Sequence, residues 1–337
     1  MASPGEVRHV LSETMAKNNR ANAALDTGLL ATYEAGSAFA IDAANYQAER
    51  KAEKATRTSP PNAPFEVEDQ LSVLEREPSW PVQLLAGGRI VSTGKKAPKG
   101  PSCDSLLDFE KTGSSRPWKI VLEPAIGPSL PHLAVRGGYA APVSAGAVRA
   151  ADSLPKRLVR ALFHLETSGQ LGPLKRSYFT GGCWQLPNPR VDLVNAEAAG
   201  YAARDTYSPV VPADTSVFAL SGGKTLAIFT LRFKDEVIAP SPSSPVDWTH
   251  PSLNGNSAAA WTYLLPAGRY LQVTERGELQ VAAVLSSSRK SYTIIGDYYG
   301  FIAVEGSRAP QRPANSVPSG TLAAAHQRLG RSARSGP

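Results

Sequence analysis

The stretch Val217–Leu231, VFALSGGKTLAIFTL, decides the predicted fold, because two apolar runs flank a Gly-Gly-Lys turn. Glycine tolerates the positive φ that a tight hairpin turn requires, so this pattern is typical of a β-hairpin. A similar pattern occurs earlier in the chain, at Val82–Val91, VQLLAGGRIV. The recurrence of apolar run, glycine pair, basic residue and apolar run predicts two hairpins and one fold used twice in tandem.

In each half, a helical pattern precedes an alternating one. Residues 6–57 carry apolar side chains at helical spacing, with Asp26 as an N-cap inside the stretch. In the second half, leucines stand on one face of a helix that Gly169 ends; they are Leu154, Leu158, Leu162 and Leu165. Period-two patterns then predict strands at 65–74, 80–86, 90–93, 106–110 and 118–122, and later at 262–265, 270–274, 278–286 and 291–304, with a turn at 275–277. Residues 191–204 fit a short helix or a strand, and a strand is the favoured interpretation.

Helices followed by a meandering antiparallel sheet indicate an α+β fold. We predict two tandem cone-shaped domains, each with helices packed on a curved antiparallel sheet. The first domain covers residues 1–135, a small-residue linker covers 136–151, and the second domain covers 152–305. Residues 306–337 have the composition of a disordered Pro/Arg-rich tail.

The formal net charge of +7 is concentrated in that tail, which holds five arginines and no acidic residue. The folded part therefore lacks the basic stripe of a nucleic-acid-binding protein, and we expect no nucleic acid as a partner. We expect weak contact of the tail with anionic surfaces, and binding through the tail alone is a third hypothesis for function. No apolar run approaches the ~20 residues of a transmembrane segment.

The two cysteines, Cys103 and Cys183, fall one in each predicted domain and lack the spacing of metal ligands. Unpaired thiols are the favoured interpretation, and a disulfide between the domains, which requires an oxidising compartment, is the other. The five histidines are scattered. We therefore expect no metal and no cofactor.

Asn18–Asn22 (NNRAN), Leu29–Gly36 (LLATYEAG) and Ser221–Gly223 resemble an uncharacterised family of lipoproteins and membrane-anchored proteins from high-GC Gram-positive bacteria. The first half, with its DFEK and PWKIV segments, is similar to nuclear-transport-factor-2-like (cystatin-like) cone domains. The resemblance covers residues 6–304 and implies a cell-envelope location, although no leader is visible. A cytoplasmic location is the alternative.

Cone folds of this kind hold small apolar ligands, and some relatives are isomerases or dehydratases that need a general base beside an oxyanion donor. One Asp–Tyr group is predicted in each half: Tyr33, Asp42 and Tyr46 in the first, and Tyr201, Asp205 and Tyr207 in the second. Their simplest roles are packing and capping. The favoured function is thus a non-catalytic extracytoplasmic module that binds a small ligand or an envelope protein, and the alternative is an isomerase or dehydratase.

The Gly-Gly-Lys and Gly-Gly-Arg turns also invite comparison with phosphate-binding loops. A phosphate loop requires a strand before it and a helix after it, with GxxxxGK[ST] spacing. Here apolar strand patterns lie on both sides. The turns are therefore predicted to be hairpin turns and not phosphate sites.

Overall fold

In a computed structural model of the chain, the structure describes residues 4–57, 64–75, 80–92, 103–180, 182–210, 215–250 and 257–309. The predicted disordered tail lies outside the described residues from 310 onward. Its first residues belong to the last strand, which continues to Arg308. No helix of the described ranges is long and apolar enough to cross a membrane.

Six α-helices occur in the described residues, three before the first long strands and three in the middle of the chain. They are α1 Pro4–Ala24, α2 Thr27–Leu30, α3 Gly36–Thr56, α4 Ala145–Asp152, α5 Leu154–Ser168 and α6 Pro189–Ala198. Asp26 caps α2 as predicted, since its carboxylate accepts hydrogen bonds from the backbone N–H groups of Gly28 (2.9 Å) and Leu29 (3.0 Å). The predicted leucine face of α5 is buried, and Gly169 ends the helix at φ 70°.

The strands are antiparallel to their neighbours, and most of them form one sheet. They are β1 Phe65–Leu74, β2 Val82–Ser92, β3 Asp104–Lys111, β4 Lys119–Leu122, β5 Ala125–Ile126, β6 Val135–Arg136, β7 Tyr139–Ala140, β8 Ala202–Pro209, β9 Ser216–Ala219, β10 Thr225–Ile238, β11 Val246–Trp248, β12 Gly268–Leu285 and β13 Tyr292–Arg308. The sheet order is β1-β2-β3-β5-β13-β12-β10-β8. Strands β4, β9 and β11 pair with β3, β10 and β12, while β6 and β7 form a separate pair.

The fold is α+β with one large curved antiparallel sheet that both halves share. The short strand β5 joins the halves, because Ile126 lies opposite Asp104 of β3 on one side and opposite Gly296 of β13 on the other. The arrangement of two separate cones is not confirmed. Residues 136–151, expected as a linker, contain β7 and most of α4.

The core has apolar clusters on both faces of the sheet. One packs α1 and α3 against the first-half strands, and another packs α5 against β10, β12 and β13. A further cluster joins the two halves directly, with Leu85 and Leu106 of the first half against Leu226 and Ile228 of the second. The halves are also joined by a disulfide between Cys103 and Cys183, whose Cα atoms are 5.2 Å apart, so the expectation of unpaired thiols is wrong.

The two glycine pairs that suggested a repeat have different structures. Gly222 and Gly223 adopt φ 71° and 70° in the turn between β9 and β10, which confirms the second hairpin. The first predicted hairpin is wrong, because β2 runs unbroken through Gly87 and Gly88. A Cβ atom at Gly88 would collide with the backbone oxygen of Glu68 on β1. This glycine pair therefore permits close approach of a neighbouring strand instead of a turn.

Three other strand predictions need correction. Strand β12 continues through the predicted turn at 275–277 with only a bulge, and residues 262–264 lie in a 3-10 helix, Ser257–Leu264. The predicted strand 191–204 begins as helix α6 and becomes β8 only at Ala202. The helix starts there because Pro189 occupies its first turn and the Asn188 side chain accepts a hydrogen bond from the Val191 N–H (3.4 Å).

Candidate functional site

Two groups of buried acidic residues stand out in the described part of the chain. The first, which we call the carboxylate row, consists of Asp205, Asp235 and Glu275 on three neighbouring strands of the second half. The second, which we call the carboxylate trio, consists of Glu34, Asp42 and Glu123 in the first half. Each group includes one aspartate that the sequence analysis selected.

The carboxylate row follows from the register of the sheet. Asp235 of β10 lies directly opposite Asp205 of β8 on one side and opposite Glu275 of β12 on the other. Residues opposite each other in antiparallel strands present their side chains on the same face. Helix α5 covers this face and adds a fourth acid, Glu166, whose Oε1 accepts a hydrogen bond from the Asp205 N–H (3.2 Å). Asp192 of α6 is the fifth acid of the group.

Burial and mutual repulsion make these carboxyl groups hard to ionise. Burial, followed by the charges of neighbouring acids, raises the pKa of Asp205 to about 8 and that of Glu275 to about 8. Burial raises the pKa of Asp192 to about 7, and the pKa of Asp235 is raised for the same reason together with repulsion from Asp205 and Glu275. One oxygen of each of these four side chains has no hydrogen-bond partner in the described part of the chain.

Within the described ranges, none of the ion pairs involves a member of the row, Glu166 or Asp192. A buried charge is normally paired with an opposite charge or a metal. Asp205 and Glu275 are buried, and Asp235 is half-buried. The arrangement can therefore attract and hold a positively charged group.

Aromatic side chains follow the row on the same face of the sheet. Tyr207 and Phe233 stand two residues from Asp205 and Asp235, and their ring centroids are 6.4 Å apart. Phe233 also meets Tyr299 at 6.4 Å and Phe301 at 5.5 Å, in edge-to-face contacts. A Cβ atom at Gly277 would collide with the Phe233 ring, so the glycine on β12 makes room for this aromatic group.

The carboxylate trio is built from three backbone segments that lie close together. Glu34 precedes α3 on a segment that pairs with β4, as the Ala35 N–H donates to the Ile120 oxygen (2.9 Å) and the Ile120 N–H donates to the Tyr33 oxygen (2.8 Å). Asp42 lies in the second turn of α3, and Glu123 directly follows β4. Oxygen atoms of the three carboxylates lie within 4.8 Å of one another.

Residues of β12 and β13 from the second half complete the surroundings of the trio. The Tyr298 hydroxyl donates a hydrogen bond to Asp42 Oδ1, and the buried Gln280 side chain accepts a hydrogen bond from the Glu123 N–H (2.6 Å). Burial, together with the charges of Asp42 and Glu123, raises the pKa of Glu34. Glu34 is 2% exposed, and none of the described residues provides a hydrogen-bond partner for its Oε2 atom.

The structure brings together some of the predicted site residues and separates others. In the first group, the Tyr33 hydroxyl donates a hydrogen bond to Asn18 (3.0 Å) and the Tyr46 hydroxyl donates one to Asn22 (2.5 Å). The hydroxyl that donates to Asp42 belongs to Tyr298 instead. In the second group, Asp205 and Tyr207 share one face of β8. Tyr201 lies apart from them in another apolar cluster, where it donates to the Pro245 oxygen (3.2 Å).

Most acids of both groups were missed by the sequence analysis, although one had a detectable signal. Strand β10 reads Phe229, Leu231, Phe233, Asp235 and Val237 at alternate positions, so an acid occupies a buried apolar register. Glu275 lies in a predicted turn, so its place on a strand beside Asp235 could not be predicted. The trio has no local signal, because its members come from separate segments.

Two further buried acids lie apart from these groups. Asp108 of β3 accepts a hydrogen bond from the Ser216 hydroxyl across the junction of the halves, and burial raises its pKa to about 8. Asp297 of β13 accepts a hydrogen bond from the Gln185 N–H (3.0 Å), and burial raises its pKa to about 7. Both are useful reference positions for substitution.

Comparison with protein families matches residues 1–306 to a domain of unknown function (DUF8094). Searches of curated proteins and of solved structures returned no significant match. The family assignment therefore brings no ligand, reaction or partner with it. Any proposal on function depends on the residues described above.

Proposed function

The chain belongs to the DUF8094 family, and because the function of that family is unknown, we propose a function from the geometry of the second half. We propose that the protein is a non-catalytic extracytoplasmic binding module whose carboxylate row receives a ligand with a protonated amine. The observation that carries the proposal is the alignment of Asp205, Asp235 and Glu275 across three strands with no basic side chain of the described residues paired to them.

The proposal rests first on the cost of burying acids. A carboxylate that loses water without gaining a hydrogen bond or a countercharge destabilises the fold. Asp205 and Glu275 are buried, and each retains an oxygen without a hydrogen-bond partner within the described ranges. An ammonium group offers several N–H donors and a positive charge to such oxygens, and charge-assisted hydrogen bonds are the strong ones.

The aromatic residues beside the row favour an organic cation over a metal ion. Tyr207, Phe233 and Tyr299 are close neighbours, and rings attract cations through their faces while packing against an apolar body. Ligand sites are commonly lined by aromatic residues with a few convergent polar groups. A ligand with an aromatic or aliphatic body and one ammonium group matches this lining.

The proposed location and domain history have their own support. A disulfide between Cys103 and Cys183 favours an oxidising compartment, which is the reason for placing the protein outside the cytoplasm. Helices followed by an antiparallel meander in each half favour descent from one duplicated cone-shaped unit, now joined through a common sheet. Alkylation of the native protein before and after reduction tests the location, and two free thiols in protein isolated from its host would contradict it.

The ligand class is tested by calorimetric titration with benzylamine and with benzyl alcohol, its uncharged counterpart. We expect millimolar or tighter binding of the amine and none of the alcohol. Asp235→Asn keeps the shape but removes a charge, and we expect at least about tenfold weaker binding, the size of one charge-assisted hydrogen bond. Asp108→Asn, a buried acid outside the row, serves as the control. Equal affinity for amine and alcohol would refute the proposal.

Proton release provides a second readout. At pH 7 much of the row is protonated, because the pKa values of Asp205 and Glu275 are about 8. A cation that ionises these groups expels their protons, so its apparent affinity should rise from pH 6 to pH 8. The heat of binding should also differ between buffers of different ionisation enthalpy. Binding without this linkage would place the amine elsewhere on the protein.

The alternative function, an isomerase or dehydratase with an Asp–Tyr pair, is favoured by one observation. Asp42 is buried and accepts a hydrogen bond from the Tyr298 hydroxyl, the combination of base and hydroxyl donor that such chemistry uses. Deuterium incorporation at carbon atoms next to a carbonyl, followed by NMR with a set of small ketones, tests it. The alternative requires exchange that both Asp42→Asn and Tyr298→Phe abolish.

A further inference from the structure

We propose that the carboxylate trio of Glu34, Asp42 and Glu123 is a binding site for a hard divalent cation, with Ca2+ as the preferred ion. Their ligand oxygens all lie within 4.8 Å of one another. Ca2+ binds carboxylate oxygens at about 2.3–2.6 Å, so ligands on opposite sides of the ion are separated by up to about 5 Å. Mg2+ at about 2.0–2.1 Å requires a narrower and stricter arrangement.

A second observation points to a ligand at this place. Glu34 is almost fully buried beside two other carboxylates, and its Oε2 atom has no hydrogen-bond partner among the residues that the structure describes. Each unpartnered buried polar atom carries a desolvation cost, and a cluster of acids adds repulsion to it. A divalent cation among the three oxygens removes both costs at once.

The trio is positioned by groups outside it. The Tyr298 hydroxyl donates a hydrogen bond to Asp42 Oδ1 and so orients this carboxylate. Metal ligands are commonly oriented by hydrogen bonds from neighbouring residues that do not contact the ion. The Glu34 segment is fixed by its backbone pairing with Ile120, and the backbone at Glu123 is held by Gln280. Glu123 is the partly exposed member of the trio.

The site differs from the carboxylate row in ways that assign a different ligand to it. The three ligand oxygens of the trio lie close enough for one ion, and the row is spread over three strands and lies beside aromatic rings. An ion at the trio would connect the start of α3 with the end of β4. Through Tyr298 it would also connect both of them with β13 of the second half.

The test uses the full chain after treatment with a chelator and titration with CaCl2, MgCl2 and TbCl3. Tb3+ replaces Ca2+ and luminesces when a nearby tyrosine absorbs light, and Tyr33 and Tyr298 lie beside the trio. We expect Ca2+ to bind at least tenfold more tightly than Mg2+, to raise the melting temperature and to displace Tb3+. Glu34→Gln and Glu123→Gln should each weaken Ca2+ binding at least tenfold.

The matched control is Asp205→Asn, which changes a buried acid of the row and should leave the affinity for Ca2+ within about twofold. Glu123→Gln covers the case in which the buried Glu34→Gln variant fails to fold, because Glu123 is partly exposed. The proposal is overturned if the wild-type protein shows neither a heat of Ca2+ binding in calorimetric titration nor Tb3+ luminescence. It is equally overturned if Asp205→Asn loses the ion and Glu123→Gln keeps it.

Discussion

Replacing Asp108 by asparagine is expected to weaken the dependence of stability on pH. Asp108 is fully buried between the halves, where one carboxylate oxygen accepts a hydrogen bond from the Ser216 hydroxyl and the other has no partner among the described residues. Burial raises the pKa of Asp108 to about 8 in the folded protein, against roughly 3.9 for an unfolded aspartate. The substitution keeps the shape of the side chain and removes its titration.

The sign and size of the effect follow from proton linkage. Between about pH 4 and pH 8 the folded state retains the Asp108 proton that the unfolded state has lost, so the stabilising contribution is full at low pH and disappears as pH rises. One such group changes the free energy of unfolding by about 1.4 kcal/mol per pH unit. Between pH 5 and pH 7, the ionisation of Asp108 therefore lowers the free energy of unfolding by about 3 kcal/mol.

Urea unfolding of the wild type, Asp108→Asn and Glu305→Gln at pH 5, 6 and 7 measures this contribution. Other buried acids such as Asp297 contribute equally to all three proteins, so the comparison isolates position 108. Glu305 is an exposed control whose side chain is 64% accessible. We expect Asp108→Asn to lose stability more slowly with pH by about 1.4 kcal/mol per unit. Parallel curves for wild type and Asp108→Asn would refute the reasoning.

Three further outcomes are expected from unfolding measurements. Replacing Cys103 and Cys183 by serine should lower the free energy of unfolding by about 4.5 kcal/mol, because the bond closes a loop with a sequence separation of 80 residues, and reduction of the wild type should give the same loss. Gly88→Ala should lower the free energy of unfolding by about 3 kcal/mol, because the new Cβ atom would collide with the backbone of β1. Gly222→Ala should lower it by about 1 kcal/mol, because this position has open space but a positive φ. Equal losses for the two variants would contradict this distinction. Asp26→Ala should cost about 1 kcal/mol through loss of the α2 cap, with Asp26→Asn as the nearly neutral control.

The elements with strong local signals could be predicted from sequence, and those decided by partners could not. The α5 face, the Asp26 cap and the hairpin at Gly222 depend on spacing and turn chemistry within a few residues. The glycine pair at Gly87 and Gly88 has the same local pattern as a turn, but its conformation is decided by the neighbouring strand β1. Tertiary contact therefore determined which glycine pair bends the chain.

The same distinction explains the outcome for the sites. Asp205 and Tyr207 are two residues apart on one strand, and their common face follows from the period of a strand. Asp235 and Glu275 join Asp205 only through the register of β8, β10 and β12, which sequence does not reveal. The pairing of Asp42 with Tyr298 depends on contact between α3 and β13, at a sequence separation of 256 residues.

The geometry of the sheet separates the two proposed ligands. Neighbouring strands lie about 4.8 Å apart, so the positions of Asp205, Asp235 and Glu275 extend over roughly 10 Å across three strands. The trio draws its three oxygens within 4.8 Å and suits a single ion. Amine binding should accordingly depend on Asp235 and be independent of Ca2+, and Ca2+ binding should depend on Glu34 and be independent of amine. Mutual competition between benzylamine and Ca2+ would show that one site binds both, and the assignment of two ligands to two groups of acids would then be wrong.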